Sequence, residues 1–262
     1  MDLQKLLPKV ITIAKKGGDF IRKERINFNQ EMVEFKGAND LVSYVDRETE
    51  KILVHDLHDL LPKAGFITEE GTVAQDAATL QWVIDPLDGT TNFVHGIPFF
   101  SVSIALLLNN MPVLGVVYEI NRDECFYALQ HGKAFCNEKE IRVSLASSLS
   151  ESVISSGFPH LNFDRLTNYQ GIVSRLMQQT QGMRRLGSAA VDLAYVACGR
   201  VSCFFEPNLN SYDVAAGILI VQQAGGTVTD FQGGNNYLFG REIIAANGIH
   251  QDVLEIINEH WN

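Results

Sequence analysis

Cysteine is scarce: Cys125, Cys136, Cys198 and Cys203 are the only four among 262 residues, and no two form a C-x-x-C pair. That argues against a disulfide framework or a zinc ribbon and predicts free thiols in a reducing, cytoplasmic setting. Long apolar runs are missing too. The longest, at 99–108, is broken by Ser101 and Ser103 and falls short of the roughly 20 residues a membrane span needs. At 1–20, Lys5, Lys9, Lys15 and Lys16 interleave with apolar residues at helical spacing, so the segment reads as a helix and not as a secretory leader. Positive charge is in deficit, with 21 Lys plus Arg against 31 Asp plus Glu and a formal net charge of −10. A general binder of nucleic-acid backbones needs a basic face, which this balance disfavours. Anionic substrates stay open wherever metal cations reverse the local field. G-x-S-x-G, G-x-x-x-x-G-K-[ST] and G-x-G-x-x-G are all absent, which argues against a serine hydrolase, a Walker-type ATPase and a dinucleotide enzyme.

What is present is ordinary globular material, 46% hydrophobic and 20% charged. At roughly 150 residues per domain, this length fits one large domain or two lobes sharing a core. Periodicity predicts helices over 3–24 and 47–61, the second with Ile52, Leu53, Leu57 and Leu60 on one stripe. Strands are expected at 81–84, 101–108, 113–120 and 125–130. Asn109-Asn110 and Asn121-Arg122-Asp123 separate the last three as an antiparallel meander. Beyond 152 the rhythm alternates. Strand-like 153–156, 183–186, 202–205, 227–229 and 243–245 intersperse with helical 165–179, 189–197, 213–224 and a last helix to about 260. The Ser-rich stretch 144–152 suggests a boundary between lobes at 1–145 and 146–262.

Three acidic elements carry the chemistry. In WVIDPLDGTTNF (82–93) an apolar strand delivers Asp85, Pro86 forces a turn, and Asp88 follows before Gly89-Thr90-Thr91 opens a short helix. Two carboxylates beside an anion-receptive helix start suit divalent metals bridged to a phosphate. The plainer alternative is an Asx-type turn with Asp88 as N-cap. Glu69-Glu70 follows a short apolar strand and, alone, reads equally as a solvated pair. Asp213 stands where a helix starts, in Tyr212-Asp213-Val214-Ala215-Ala216-Gly217, and capping alone accounts for it as well. His55 and His58, with Asp56 and Asp59, lack a third ligand motif and read as a solvated helix face. D-x-D-x-T also fails, because two residues separate Asp85 from Asp88.

Together these elements resemble the inositol monophosphatase family of lithium-sensitive, magnesium-dependent phosphatases, over essentially the whole chain. Lys36-Gly37, Asp40-Leu41-Val42-Ser43, Asp46, Arg185-Leu186-Gly187-Ser188-Ala189-Ala190 and Phe204-Phe205-Glu206 support it, and 189–206 looks like the bacterial branch. The resemblance implies a layered αβαβα sandwich of α+β (α/β) class, as in fructose-1,6-bisphosphatase-like folds, with two lobes sharing one site. It also implies a homodimer.

By the same resemblance, one Mg²⁺ would be held by Glu69, Asp85 and the Leu87 carbonyl, and a second by Asp85, Asp88 and Asp213. A weaker third would use Glu69 and water. An all-oxygen donor set fits Mg²⁺ and calls for no cysteine or histidine. Two carboxylates about 4 Å apart repel by about 4 kcal/mol at an effective dielectric of about 20, so such a cluster needs cations among its members or must protonate. Thr90, bonded to Asp46, would help Glu69 deprotonate the attacking water, with no phospho-enzyme. The N–H groups of Gly89 and Thr90 would hold phosphate oxygens. Gly187, Ser188, Ala189, Glu206 and Asp213 would meet ring hydroxyls. Glu206 also reads as a salt-bridge partner, and Lys36 either adds positive potential or is ordinary surface.

The activity implied is hydrolysis of inositol 1-phosphate or a similar polyol or sugar phosphate monoester. Sugar bisphosphatases and NADP phosphatases are the neighbouring alternatives, whereas Thr91-Asn92-Phe93 lacks the lysine typical of nucleotide 3′-phosphatases. A reading of another class is an interaction protein, since bacterial relatives join RNA polymerase antitermination assemblies. Thr68, Ser188, Tyr212 and the loop 207–211 depart from the better-known members without touching a metal ligand.

Overall fold

Sequence-local signals set the first helices. In the computed structural model, which describes residues 1–28, 33–37, 40–74, 78–158 and 164–261 (backbone only at 33–37 and 40–42), α1 spans Leu3–Asn27. Asp2 caps it, accepting from the Lys5 N–H, and Leu6, Val10, Ile13, Ala14, Gly17 and Ile21 form its buried stripe. Next come an antiparallel hairpin, β1 (Val33–Gly37) with β2 (Asp40–Ser43), and α2 (Tyr44–Leu60). The apolar stripe alone suggested a start at 47. The helix begins earlier because Ser43 and Asp46 form a capping box: the Ser43 N–H and hydroxyl both donate to Asp46 Oδ2, and Val45 N–H donates to Ser43 Oγ. His55 and His58 lie exposed on α2 beside Asp56 and Asp59, as a solvated face should.

A seven-stranded sheet follows: β3 (Gly65–Thr68), β4 (Leu80–Asp88), β5 (Ser101–Leu108), β6 (Met111–Glu119), β7 (Glu124–Leu129), β8 (Ala134–Cys136) and β9 (Lys139–Glu140). They lie side by side in chain order, with only β3 and β4 parallel. Asn109 and Asn110 take left-handed φ values of 51° and 62° in the tight β5–β6 turn, where the backbone twist asks for positive φ. The six-residue α3 (Thr90–His95) interrupts the run between β4 and β5.

The second sheet is mixed, in the order β11-β10-β12-β14-β13. Its strands are β10 (Val153–Ser156), β11 (Gly182–Arg184), β12 (Cys203–Pro207), β13 (Thr227–Thr229) and β14 (Glu242–Ala246). Helices α4 (Leu166–Gln179), α5 (Ala189–Ala197), α6 (Ser211–Gln223) and α7 (His250–Trp261) complete the described α-helices. The strand expected at 202–205 runs on to Pro207 and so carries Glu206 inside it.

These pieces stack as five layers. Helices α1 and α2 cover one face of the large sheet, where Trp82, Ile84, Ile104, Leu106 and Val116 join Val10, Leu53 and Leu57. The opposite face, with Val83, Ala105, Leu107 and Val117, packs on α5 and α6, which also bury Phe204 and Ile243 of the small sheet. Helices α4 and α7 close the far side over Ile154, Phe205 and Ile244. A sheet covered on both faces needs apolar residues at successive positions, which is why β5 and β6 read as near-continuous hydrophobic runs. Among the described residues no helix is long and apolar enough to cross a membrane. All four cysteines are free thiols.

The middle layer is set by close backbone approach. A Cβ on Gly115 of β6 would stand 2.8 Å from the Ala216 carbonyl oxygen of α6, and one on Gly217 would meet Leu193 of α5 at 2.5 Å. Gly115→Ala is therefore expected to push α6 off the sheet and lower stability by about 1–3 kcal/mol, read by urea unfolding. An unchanged midpoint would show that α6 is not seated there. A second expectation concerns His250, whose ring lies 3.0 Å from Thr229 Oγ1 and whose burial pushes its pKa below the ordinary 6.5. Its neutral form stabilises the fold above the unfolded value, and that contribution is lost as pH falls through the lowered folded value, because the unfolded chain takes the proton first. Stability should thus drop between pH about 7 and about 5 more steeply in the wild type than in His250→Gln.

Candidate active site

The site grows from an irregularity in β4. Asp85 pairs with Ser103 and Asp88 with Ser101, so three steps along β4 match two along β5, a one-residue bulge. Residues three apart on a regular strand face opposite sides. The extra residue restores the phase and places Asp85 and Asp88 on the same side. Pro86, without an N–H, is tolerated at such a bulge. The turn expected at Pro86 is thus corrected: the strand continues to Asp88, and only Gly89 ends it, at φ +98°. A Cβ there would sit 3.0 Å from the Phe99 carbonyl and 3.1 Å from the Gly187 carbonyl, so strain and space both require glycine.

Parallel pairing of β3 with β4 brings Glu69 next to Asp85, with the Glu69 N–H donating to the Ile84 carbonyl at 3.3 Å. Asp213 arrives from the first turn of α6, its Oδ2 accepting from the Asn210 N–H at 2.6 Å. Asp88 Oδ2 accepts from the Ser188 hydroxyl at 2.6 Å and from Ala190 N–H at 2.7 Å, at the N-terminus of α5. Asp85 Oδ1 accepts from the Leu87 N–H at 3.0 Å.

Electrostatics tie the group together. Burial, then the charges of Glu69, Asp88 and Asp213, push the Asp85 carboxyl well above its usual range. Burial and Asp88 push Asp213 up to about 7. Burial raises Asp88 too, against the pull of its bonds from Ser188, Ala190 and Ala189 and of the nearby Arg185. Among the described residues no three acidic, histidine or cysteine side chains stand at finished metal-cage spacing. The donors themselves are hard oxygens whose ionised forms oppose one another, and that chemistry fits a hard divalent cation such as Mg²⁺ or Ca²⁺.

Beside them, the Thr90 hydroxyl lies 2.8 Å from Asp46 Oδ1 and 3.0 Å from the Leu87 carbonyl, two acceptors for its single proton. Asp46 is fully buried, and burial raises its carboxyl while the Ser43 and Thr90 bonds lower it. The Leu87 carbonyl faces the same hydroxyl.

On the opposite wall, Gly187 holds φ +95° and its Cα faces Arg185 and Asn92. The Ser188 hydroxyl is engaged by Asp88, and Ala189 opens α5. Glu206 is buried, with its carboxylate lying against Gly157 where a Cβ would come within 2.0 Å. Burial, then Asp192, hold its carboxyl well above the usual range, with Arg185 opposing. The Lys36 side chain lies outside the described residues.

Two residues here receive no site role from the sequence. Asn92 donates to the Phe99 and Leu186 carbonyls at 2.8 and 2.9 Å, stapling the Gly187 turn to α3. Asp192 is buried, its Oδ1 has no hydrogen-bond partner among the described residues, and burial, with Asp88 nearby, raises its carboxyl. A polar residue on an otherwise apolar helix was the available signal for Asp192. Asn92 had none, since its partners are backbone carbonyls distant along the chain.

A sequence model of the inositol monophosphatase family matches residues 2–262. The "Inositol-1-monophosphatase" of Mesorhizobium japonicum is 40% identical over 250 residues, covering 95% of this chain and 94% of that protein. The "Nus factor SuhB" of Escherichia coli K12 is 40% identical over 243 residues, covering 92% and 91%. Among solved structures, the extragenic suppressor protein suhB of Bartonella henselae superposes with a TM-score of 0.92 at 40% identity, covering 97% of this chain and 99% of that one. Thermotoga maritima IMPase gives 0.89 at 36% identity, covering 100% and 98%.

Mutual repulsion has a cost that one substitution can relieve. In EDTA, Asp85→Asn should raise the melting temperature by about 2–6 °C, equivalent to about 1–2 kcal/mol, because the amide keeps its acceptor for Leu87 N–H and cannot ionise among its acidic neighbours. Calorimetry showing an unchanged or lower midpoint would remove the claim that these carboxylates strain the fold.

Proposed function

The chain belongs to the inositol monophosphatase family, and from that membership we propose that it is a Mg²⁺-dependent phosphomonoesterase acting in the cytoplasm on inositol 1-phosphate or a similar polyol phosphate. The observation that carries the reading is the bulged β4 end, where Asp85 and Asp88 share one side and Asp85 feels Glu69, Asp88 and Asp213. Glu69, Asp85 and the Leu87 carbonyl would hold one cation and Asp85, Asp88 and Asp213 another, with Glu69 contributing to a weaker third. When bound, the cations supply a Lewis-acid field that acidifies a water and neutralises phosphate and leaving-group charge.

The protein's own groups do the rest. Asp46 accepts the Thr90 proton at 2.8 Å and so turns a Thr90 lone pair outward, ready to accept a proton from water. Glu69 takes the water's other proton as base, leaving the first shared with Thr90 as a hydrogen bond, and no side chain is phosphorylated. The N–H groups of Gly89 and Thr90 donate to phosphate oxygens, fixing phosphorus for in-line attack. Gly187, Ser188 and Ala189 shape the wall against the polyol ring. Glu206 and Asp213 meet its hydroxyls, and a carboxyl held toward its protonated form by burial can both donate and accept there.

A second reading is favoured by the 40% identity to the protein named Nus factor SuhB: association with RNA polymerase antitermination machinery. It is compatible with catalysis and would use the outer surface of the fold, as would the expected homodimer.

Purified protein should release phosphate from inositol 1-phosphate with Mg²⁺ and not with EDTA, and lithium should inhibit. Asp88→Asn should lower kcat/KM by about 10³-fold or more, and Thr90→Ala by about 10²–10³-fold. Absence of Mg²⁺-dependent release across a panel of polyol and sugar phosphates, with retention on RNA polymerase, would favour the second reading alone.

A further inference from the structure

Helix α2 carries two buried carboxylates one turn apart, Asp46 and Glu50. Positions four apart lie on the same helix face, and here that face meets the site. Asp46 serves Thr90. Glu50, which is fully buried, points its hydrogen-bonding capacity elsewhere. Its Oε2 accepts from the Glu70 N–H at 2.7 Å, and its Oε1 accepts from the Thr72 N–H at 2.8 Å and the Thr72 hydroxyl at 2.7 Å. All three bonds land on the segment directly after Glu69, which turns at Gly71 with φ +63°. On its other side that segment is tied to β4 through the Glu69 N–H and the Ile84 carbonyl.

Helix cohesion does not call for this arrangement. A buried carboxylate costs desolvation, and an apolar side chain packed between Val45 and Leu53 would hold α2 to the sheet without that cost. What a carboxylate offers uniquely is two acceptor oxygens and no donor, which three converging N–H and O–H groups can wrap. The bonds fix the backbone on either side of Gly71, where glycine alone would leave it loose.

We infer that Glu50 is a positioning residue for Glu69, gripping the Glu70–Thr72 turn so that the Glu69 carboxylate is held beside Asp85. The inference rests on the phosphatase reading above and extends it to a residue that touches neither substrate nor cation. One helix then sets both halves of water activation: Asp46 orients the Thr90 hydroxyl and Glu50 places Glu69.

Glu50→Gln tests this. The amide keeps size and one acceptor but must aim a donor at the Glu70 N–H or at Thr72, so the grip loosens without a cavity. In the full-length, metal-free protein, hydrogen exchange at the Glu70 and Thr72 amides should speed up at least about 10-fold while α2 stays protected. In the Mg²⁺-loaded enzyme, kcat on inositol 1-phosphate should fall about 10–100-fold, KM should change less than about 3-fold, and the Mg²⁺ concentration for half-activation should rise. Thr72→Val, at an exposed residue whose loss cannot unfold the chain, should give a smaller shift of the same sign in each readout. Leu53→Ala, which destabilises α2 from its apolar stripe, should leave kcat and the Mg²⁺ requirement unchanged below its melting temperature.

Wild-type exchange and kcat in folded Glu50→Gln would overturn the inference. So would an equal kcat loss in Leu53→Ala, which would mark the effect as general helix stability. A wild-type protein with no Mg²⁺-dependent hydrolysis overturns the phosphatase reading instead, and with it the catalytic meaning of Glu50 whatever the exchange rates.

Discussion

Like charge held together against its own repulsion is the constraint on which the rest depends. Asp85, Asp88 and Asp213 are buried enough that each resists ionisation, and Glu69 adds to the pressure on Asp85. Left to side-chain packing alone, such a group would spread or take up protons. The fold prevents spreading by giving each member a backbone anchor: Leu87 N–H for Asp85, Ala190 N–H for Asp88 and Asn210 N–H for Asp213. Those donors come from a bulge, the start of α5 and the loop before α6. The acidic centre is thus held by three elements spread over more than a hundred residues of chain, and it exists only once both sheets have docked on the middle helices.

That dependence explains where the chain spends its small residues. Gly115 and Gly217 let α6 approach β6 on one side and α5 on the other, and α6 is the element that delivers Asp213. The capping chemistry is reused as site chemistry. Asp46 reaches back to Ser43 N–H at the start of α2, and Asp213 reaches back to Asn210 N–H at the start of α6. In each case one oxygen fixes the helix end, so the carboxylate enters the site already oriented and gives up little rotamer freedom on engaging a partner.

Much of this was legible in the sequence because it is local. The periodic stripes of α1 and α2, the Asn-Asn turn and the β5–β7 meander follow from residue spacing, and the acidic motifs are contiguous strings. The phase of β4 was not legible. Asp85-Pro86-Leu87-Asp88 looks like a turn until β5 is laid beside it, and only the pairing of Ser101 and Ser103 reveals a bulge. The β1–β2 hairpin was missed as well, since its strands are short and its pairing is all that defines it. Asn92 and Glu50 were invisible for a related reason: each acts on backbone groups remote or irregular in sequence, and no side-chain pattern announces a backbone partner.

The substrate wall extends the same electrostatic logic outward. Glu206 lies under pressure from Asp192, Asp213 and Asp88, and Arg185 is the cation that offsets it. Arg185 is exposed and stands over the Phe158 ring at 5.8 Å, so its charge is shared with solvent and an aromatic face. A second phosphate on such a substrate would therefore enter a neighbourhood of buried carboxyls offset, among the described residues, by Arg185 and by Arg241 near Asp213. Hydroxyl groups face no such penalty, because a carboxyl biased toward its protonated form can both donate to and accept from them. Under the proposed phosphatase function, the wall opposite the acidic centre would discriminate by charge before shape, and would favour a monophosphorylated polyol over a bisphosphate.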